Sequence, residues 1–492
     1  MNTNYDRAIL EFAASVKSEG GRALLVGGMV RDELLGLASK DVDMEVFGIS
    51  PDTLCRCLEQ FGRVKEVGQQ FGVYIVEGLD WDVALPRREL KTGAGHRGFD
   101  VQPEPSMTVE QACRRRDFTI NAIARDPLTG EIIDPLQGQR DIERRLLVAC
   151  DATTFGDDPL RALRAAQFAS RFDFDVDEGT LRIIADQPLD ELPGERVYAE
   201  FQKLLLKGAK PSSGFEVLDR SGLLHFFPEV AAMQGVPQDA KHHPEGPVFE
   251  HVMMVIDEAA KLRTGNQDED MALMLGALCH DLGKPAFTQI DGDRIKSHGH
   301  EKGGVEPTRE FLRRIKAPNT TVKMVCALVE HHLKPQTFAG VAGRKGYRNL
   351  ARELSAAGVS PALLARLSTA DCLGRTTPAA LARDTTRQQR FLDEMALHVG
   401  PDNDKPLDSV SGKDLIKRGF EPGPEMGEML RLIRDIEDQT GITDADRLIT
   451  KALEDADSLS AAARMRFSDA LKARGDDLAA TSEAVASPKV AP

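Results

Sequence analysis

Carboxylates, glycines and arginines at short spacings are where chemistry first shows in this chain. In Leu25-Val-Gly-Gly-Met-Val-Arg31-Asp32 an apolar run ends at Gly27-Gly28 and passes at once into a helix-like segment. Glycine allows free φ and close approach of another group to the backbone. Backbone N–H groups and a helix N-terminus facing one way cradle phosphate, with Arg31 one turn in as counter-charge. The stretch Asp41-Val-Asp43-Met-Glu45-Val then alternates. Asp41, Asp43 and Glu45 share one face of a strand, while Val42, Met44 and Val46 face a core. Two carboxylates two residues apart offer the oxygen ligands that Mg²⁺ on a nucleoside triphosphate requires. Alone, each half is a glycine turn or an amphipathic strand. In this order they describe a phosphate-handling, metal-dependent centre.

A basic triple follows in Arg114-Arg115-Arg116-Asp117-Phe118-Thr119-Ile120-Asn121-Ala-Ile123, where Phe118, Ile120 and Ile123 read as core. Three arginines sit badly beside a helix N-terminus unless anions balance them. Guanidinium is also the usual bidentate partner of phosphate. The glycine and Asp-x-Asp elements match the head of the DNA polymerase β-like nucleotidyltransferases. With the arginine triple they make the chain similar to the class II tRNA nucleotidyltransferases, the CCA-adding enzymes. Further matches are Asp134-Pro-Leu-Gln-Gly-Gln-Arg140, joining head to neck, and Glu195-Arg196-Val-Tyr-Ala-Glu200. Asp82 aligns with a third carboxylate of that superfamily, or else orients Arg87. Strongly specific motifs cover about residues 20–235.

The next element, Gly156-Asp157-Asp158-Pro159-Leu160-Arg161-Ala-Leu-Arg164, bears on base choice. Asp158 and Arg161 are three apart, so a helix would make them neighbours on one face. A carboxylate accepts from the amino group of cytosine or adenine, and a guanidinium donates to the ring acceptors of the same two bases. Uracil and guanine would turn a carbonyl oxygen toward the carboxylate, an acceptor–acceptor clash. One Asp–Arg pair thus admits C and A and rejects U and G. The family motif usually begins with Glu, and Asp157 takes that place here.

Nine of the eleven histidines fall between His225 and His332. Among them are Phe249-Glu-His251, Cys279-His280-Asp281-Leu-Gly-Lys284, His298-Gly-His300 and Glu330-His331-His332, and Asp371 follows. Imidazole plus carboxylate is a transition-metal ligand set. The order His251, His280-Asp281, Asp371 resembles the HD phosphohydrolase superfamily, an all-helical domain. Some bacterial CCA-adding enzymes carry such a domain after the neck. The resemblance implies phosphatase and 2′,3′-cyclic phosphodiesterase activity with a divalent transition metal. His298, His300 and His331 either complete a second metal or line the pocket.

Several elements must position these groups. Strands are expected at Leu25–Gly28, Val42–Phe47, Val73–Val76 and Asp82–Leu85, with a helix over Pro51–Phe61 and a mobile loop between Arg87 and Met107. The fold class is α+β: a polymerase β-like head with a small mixed sheet, then all-helical neck, HD and tail domains. Composition shifts place the head at 1–152, the neck at 153–240, the HD domain at 241–400, a helical C-terminal domain at 401–475 and a disordered tail at 476–492. At 492 residues the chain exceeds one core. A net charge of −15 confines nucleic-acid binding to local basic stripes. No apolar run approaches the ~20 residues that span a bilayer. Seven scattered cysteines fit a reducing cytoplasm.

The resemblance implies attack by a tRNA 3′-OH on the α-phosphate of CTP or ATP. Asp41 and Asp43 would hold Mg²⁺; Gly28, Arg31 and Arg116 the triphosphate; Asp158 and Arg161 the base, with Arg164 nearby. Alternatives are a poly(A) polymerase, an A-adding-only member, or an HD phosphohydrolase with an inactive RNA-binding head.

Overall fold

The computed structural model describes residues 7–38, 42–67, 72–79, 81–91, 99–292, 294–400, 408–455, 458–461 and 463. Asp41, residues 92–98 and the expected tail at 476–492 lie outside them.

The head runs α1 (Arg7–Ser18), β1 (Arg22–Val26), α2 (Gly28–Leu34), β2 (Val42–Phe47), α3 (Pro51–Glu59), β3 (Val64–Val67), β4 (Val73–Val76), β5 (Trp81–Ala84), β6 (Arg87–Lys91), β7 (Phe99–Pro103), α4 (Val109–Arg114), β8 (Ala124–Arg125) and β9 (Ile132–Ile133). Seven of these strands form one mixed sheet in the order β3-β4-β5-β2-β1-β8-β9. β2 and β5 are parallel, and the register sets Asp43 beside Asp82. Partnered residues on neighbouring strands project to the same face, so both carboxylates share one side. The opposite side packs on α1 and α3, burying Phe12, Met44, Leu54, Leu58 and Trp81. Each such side chain contributes roughly 1.5–3 kcal/mol of burial. That core fixes the carboxylate strand.

Within the stretch expected as a mobile loop, the described residues on either side of 92–98 are two paired strands. β6 and β7 pair from Arg87↔Pro103 to Lys91↔Phe99. Arg88 closes the pair with two bonds to Glu104, at 2.9 and 3.0 Å. The glycines and prolines hid two short strands of period two. The head continues with α5 (Gly138–Glu143), whose first residue lies against the Thr119–Asn121 turn.

Helices dominate beyond it: α6 (Leu160–Phe172), α7 (Glu178–Ala185), α8 (Gly194–Lys207), α9 (Pro211–Arg220), α10 (Pro228–Ala231), α11 (Val248–Lys261) and α12 (Gln267–Cys279). Gly208 and Gly214 let helices meet closely: a Cβ on Gly214 would stand 2.6 Å from the Ala166 carbonyl. Residues up to Val329, with Ala370–Arg383, form one compact unit; Glu330–Thr369 and the residues from Asp384 form another. In the second, helices Arg344–Ala356 and Pro424–Thr440 are joined by buried Arg348, which donates to Glu437 at 3.0 Å and to Asp438. Among the described residues no helix is long and apolar enough to cross a membrane.

Candidate active sites

Where β1 ends, Gly27 takes φ +69°, and a Cβ there would come within 3.0 Å of Arg116 Nη1 and 3.5 Å of Asp43 Oδ2. The missing side chain is what lets the guanidinium and the carboxylate converge on the backbone. Arg116 also donates to Glu45 Oε2 at 3.3 Å and to the Asn121 carbonyl at 3.3 Å. These groups open into a cleft of about 690 Å³. Its walls carry eight cations, among them Arg116, Arg161, Arg164, Arg196 and Lys203, against four aspartates. The chain is acidic overall, yet this cavity is built for a polyanion.

Behind the wall, aspartates hold the arginines in place. Buried Asp117 accepts from Arg164 Nε at 2.7 Å, from Asn121 Nδ2 at 2.9 Å and from the Phe118 N–H at 2.8 Å. Burial pushes the Asp117 carboxyl up, but Arg164 and these donors outweigh it and hold the pKa below its ordinary value. Arg31 is 4% exposed. Its guanidinium donates to Asp32 Oδ1 at 2.8 Å and to Asn121 Oδ1 at 2.5 Å, and lies over Phe172 at 4.8 Å. Burial pulls its pKa down, and Asp32 offsets part of that. Arg31 lines the cleft as a fixed charge with its nearest donors already engaged.

The Asp158–Arg161 pair differs from the helical expectation. Asp158 precedes Pro159 and takes extended φ −124°, ψ 101°, with α6 beginning only at Leu160. A residue before proline is disfavoured in helical conformation, so the i,i+3 argument fails here. Both side chains still line the one cleft. Asp158 Oδ2 takes a bond from Arg196 Nη2 at 2.9 Å. Arg161 donates to the Thr154 carbonyl at 2.9 Å and the Arg115 carbonyl at 2.6 Å.

The second constellation is almost fully buried. His251, at 0% side-chain exposure, points Nε2 to within 3.2 Å of Asp371 Oδ1 and 3.9 Å of Asp281 Oδ2. His280 Nε2 stands 3.2 Å from Asp281 Oδ2, and His300 Nε2 stands 3.2 Å from Asp281 Oδ1. The Nδ1 atoms of His280 and His300 lie 2.8 and 2.7 Å from the Ala277 and Ser297 carbonyls. Only an Nδ1–H can serve a carbonyl, so each ring turns its Nε2 inward, the nitrogen a metal would take once its proton is lost. One ligand atom each from His251, His280 and Asp281 lie within 4.8 Å of one another. The donor set and this inward orientation fit a divalent transition metal. Lys284 bonds Asp281 at 2.7 Å and Arg375 clasps Asp371 at 2.7 and 2.8 Å. Against the effect of burial, His280 with Lys284 and Arg375 with His251 hold Asp281 and Asp371 well below the carboxylate range.

Family models match three stretches: the poly A polymerase head domain at 23–148, a probable RNA- and SrmB-binding site of polymerase A at 173–234, and the HD domain at 248–363. The multifunctional CCA protein of Pasteurella multocida is 40% identical over 318 residues, 63% of this chain and 73% of that one. The protein of the same name from Mannheimia succiniciproducens is 39% identical over 331 residues, 64% and 76% of the two chains. The chain belongs to the multifunctional CCA protein family. It is thereby a nucleotidyltransferase of the CCA-adding kind that carries an HD domain and uses divalent metal.

Solved structures agree on the fold. The Bacillus stearothermophilus CCA-adding enzyme, in complex with CTP, superposes with a TM-score of 0.61 at 22% identity over 93% of this chain and 99% of that one. The Thermotoga maritima CCA-adding enzyme, complexed with tRNA, gives 0.57 at 19% identity over 92% and 97%. Within this multifunctional CCA protein fold, Asp43, Gly28, Arg31, Arg116, Asp158, Arg161 and Arg164 line one cleft. His251, His280, Asp281 and Asp371 meet at the HD centre. His300 joins them, His298 is exposed, and His331 stands 3.4 Å from Glu353 in the second compact unit. Sequence reasoning placed Gly27 in the glycine turn but gave no role to Arg196, Glu245 or Arg375. Gly27 was legible as half of a glycine pair. Arg196 and Glu245 act through partners far away in sequence, while Arg375 lies one helical turn from Asp371.

Proposed function

We propose that this chain rebuilds the 3′-terminal CCA of tRNA from CTP and ATP without a nucleic-acid template, and that its HD domain hydrolyses phosphate esters at RNA ends, 2′,3′-cyclic phosphates included. The observation that carries the first part is the single cleft. It is lined by a residue of the carboxylate strand and a glycine-backed arginine together with Asp158, Arg161 and Arg164.

Asp43, with Asp41 two residues before it and Asp82 beside it in register, offers only oxygen donors, the set Mg²⁺ prefers. When bound there, Mg²⁺ neutralises charge on the triphosphate and favours the ionised attacking hydroxyl. Arg116 would hold the triphosphate against the Gly27–Gly28 backbone, and buried Arg31 would supply a fixed positive field behind it. Asp158 accepts from the base amino group while Arg161 donates to its ring acceptors, which admits C and A alone. Attack by the 3′-OH is in line with the departing pyrophosphate, so the chain's main work is orientation and charge. RNA would be recognised by shape along its backbone. In the HD centre, His251, His280, Asp281 and Asp371 would hold the metal, which supplies a water of lowered pKa. Seven free cysteines suit work in the cytoplasm.

Asp43→Ala tests the assignment. It should abolish nucleotide addition and leave phosphate hydrolysis by the HD domain unchanged. Addition near the wild-type rate would show that the carboxylate strand is not the metal platform.

A further inference from the structure

We infer that Glu245, which lies outside the His/His-Asp/Asp pattern, is the positioning residue of the HD centre: its carboxylate fixes the His251 ring with Nε2 toward the metal. The inference rests on the metal-phosphohydrolase reading of that domain and adds a residue to it. Glu245 belongs to the Pro244-Glu-Gly-Pro247 segment just before α11, and its side chain is 2% exposed. One oxygen, Oε2, accepts from the Thr376 backbone N–H at 3.1 Å. The other, Oε1, stands 2.9 Å from His251 Nδ1 and 2.9 Å from His243 Nδ1. A carboxylate tethered by a main-chain donor has little freedom to rotate. The carboxylate it sets 2.9 Å from Nδ1 therefore favours one ring orientation for His251.

The consequence is read at the other nitrogen. With Nδ1 held 2.9 Å from Glu245, Nε2 is the nitrogen turned toward the metal-ligand side, 3.2 Å from Asp371 Oδ1. In His280 and His300 a backbone carbonyl stands at the same nitrogen. His251, the third imidazole of the centre, has a side-chain carboxylate at that nitrogen instead. The His243 ring backs the arrangement from the side, at 4.6 Å and 78° to the His251 ring. Thr376 lies five residues after Asp371, so one short segment supplies both a metal-facing carboxylate and the anchor for Glu245. Carboxylate partners of this kind hold metal-binding histidines, and their loss costs about 10–100-fold in metal affinity.

The test measures Mn²⁺ binding to the metal-stripped full chain by titration calorimetry, in an Asp43→Ala background so that the head does not compete. Glu245→Ala should weaken Mn²⁺ binding about 10–100-fold at unchanged stoichiometry. Glu245→Gln, which keeps one acceptor oxygen, should lose less. Both variants, with Asp43 restored, should add nucleotides to tRNA at the wild-type rate. Should Glu245→Ala fold poorly, Glu245→Gln carries the test, and an affinity equal to the parent's would overturn the inference. A lost equivalent of Mn²⁺ with the remaining site still tight would also overturn it, because His243, Glu245 and His251 would then be ligands of their own ion. Asp281→Ala is the control for the underlying reading. If it keeps Mn²⁺, the metal centre is misassigned; if it loses Mn²⁺ while Glu245→Ala does not, only the positioning role fails.

Discussion

Arg161→Ala should erode base choice while leaving the metal platform intact. Asp158 and Arg161 line one cleft from adjoining positions, one an acceptor and the other a donor. Guanidinium carries five N–H donors, and Arg161 commits Nη1 to the Thr154 carbonyl and Nη2 to the Arg115 carbonyl. Its other donors remain for a base. Removing the side chain takes away the half of the pair that recognises the ring acceptors of C and A. A contact of that type is worth about 1–3 kcal/mol of discrimination, or about 5- to 150-fold in the kcat/KM ratio of CTP over UTP. The same change loosens the loops at Thr154 and Arg115, at roughly 1.5–3 kcal/mol for each bond to a charged group before discounting for solvent. That loosening acts on all four nucleotides and cancels in the ratio. The assay is single-turnover extension of tRNA lacking its CCA, with each triphosphate in turn. If all four rates fall by one common factor, Arg161 is a phosphate or structural contact, and the protein-template reasoning is wrong.

Alanine at His280 or Asp281 should remove metal-dependent hydrolysis of a 2′,3′-cyclic phosphate and spare CCA addition; loss of both activities would assign the pair a purely structural role. Arg116→Ala should raise KM for CTP and ATP by the same factor, since its guanidinium faces the glycine turn rather than the base-reading residues, and a shift confined to one nucleotide would contradict that placement. Gly138→Ala should lower the melting temperature, because a Cβ there would stand 2.2 Å from the Thr119 carbonyl; overpacking of this kind costs about 1–3 kcal/mol, and an unchanged melting curve would place α5 differently.

Much of the head was legible because its signals are local. The alternation from Val42 to Phe47 gave β2 its true bounds, and Pro51 with the apolar spacing at Leu54 and Leu58 marked α3. The strand pair within Arg87–Pro103 was missed because its strands are short and carry more charged than apolar residues. The geometry of Asp158 was misjudged for another reason: three-residue spacing suggests a helix, but Pro159 keeps the preceding residue extended. The four candidate HD ligands were readable as residue types in order. Their supports were not. Arg196 reaches Asp158 across 38 positions, and Thr376 reaches Glu245 across 131. Nothing local in the sequence encodes such pairings.

The central claim is that one cleft adds C and then A to tRNA by reading the incoming base with protein side chains. The most direct measurement incubates the purified chain with tRNA lacking its last three nucleotides and supplies each labelled triphosphate alone, then CTP with ATP. The account predicts two additions with CTP alone, a third and final addition only when ATP joins it, and negligible use of UTP or GTP. Continuous extension with ATP alone, or no use of CTP on that tRNA, would contradict it.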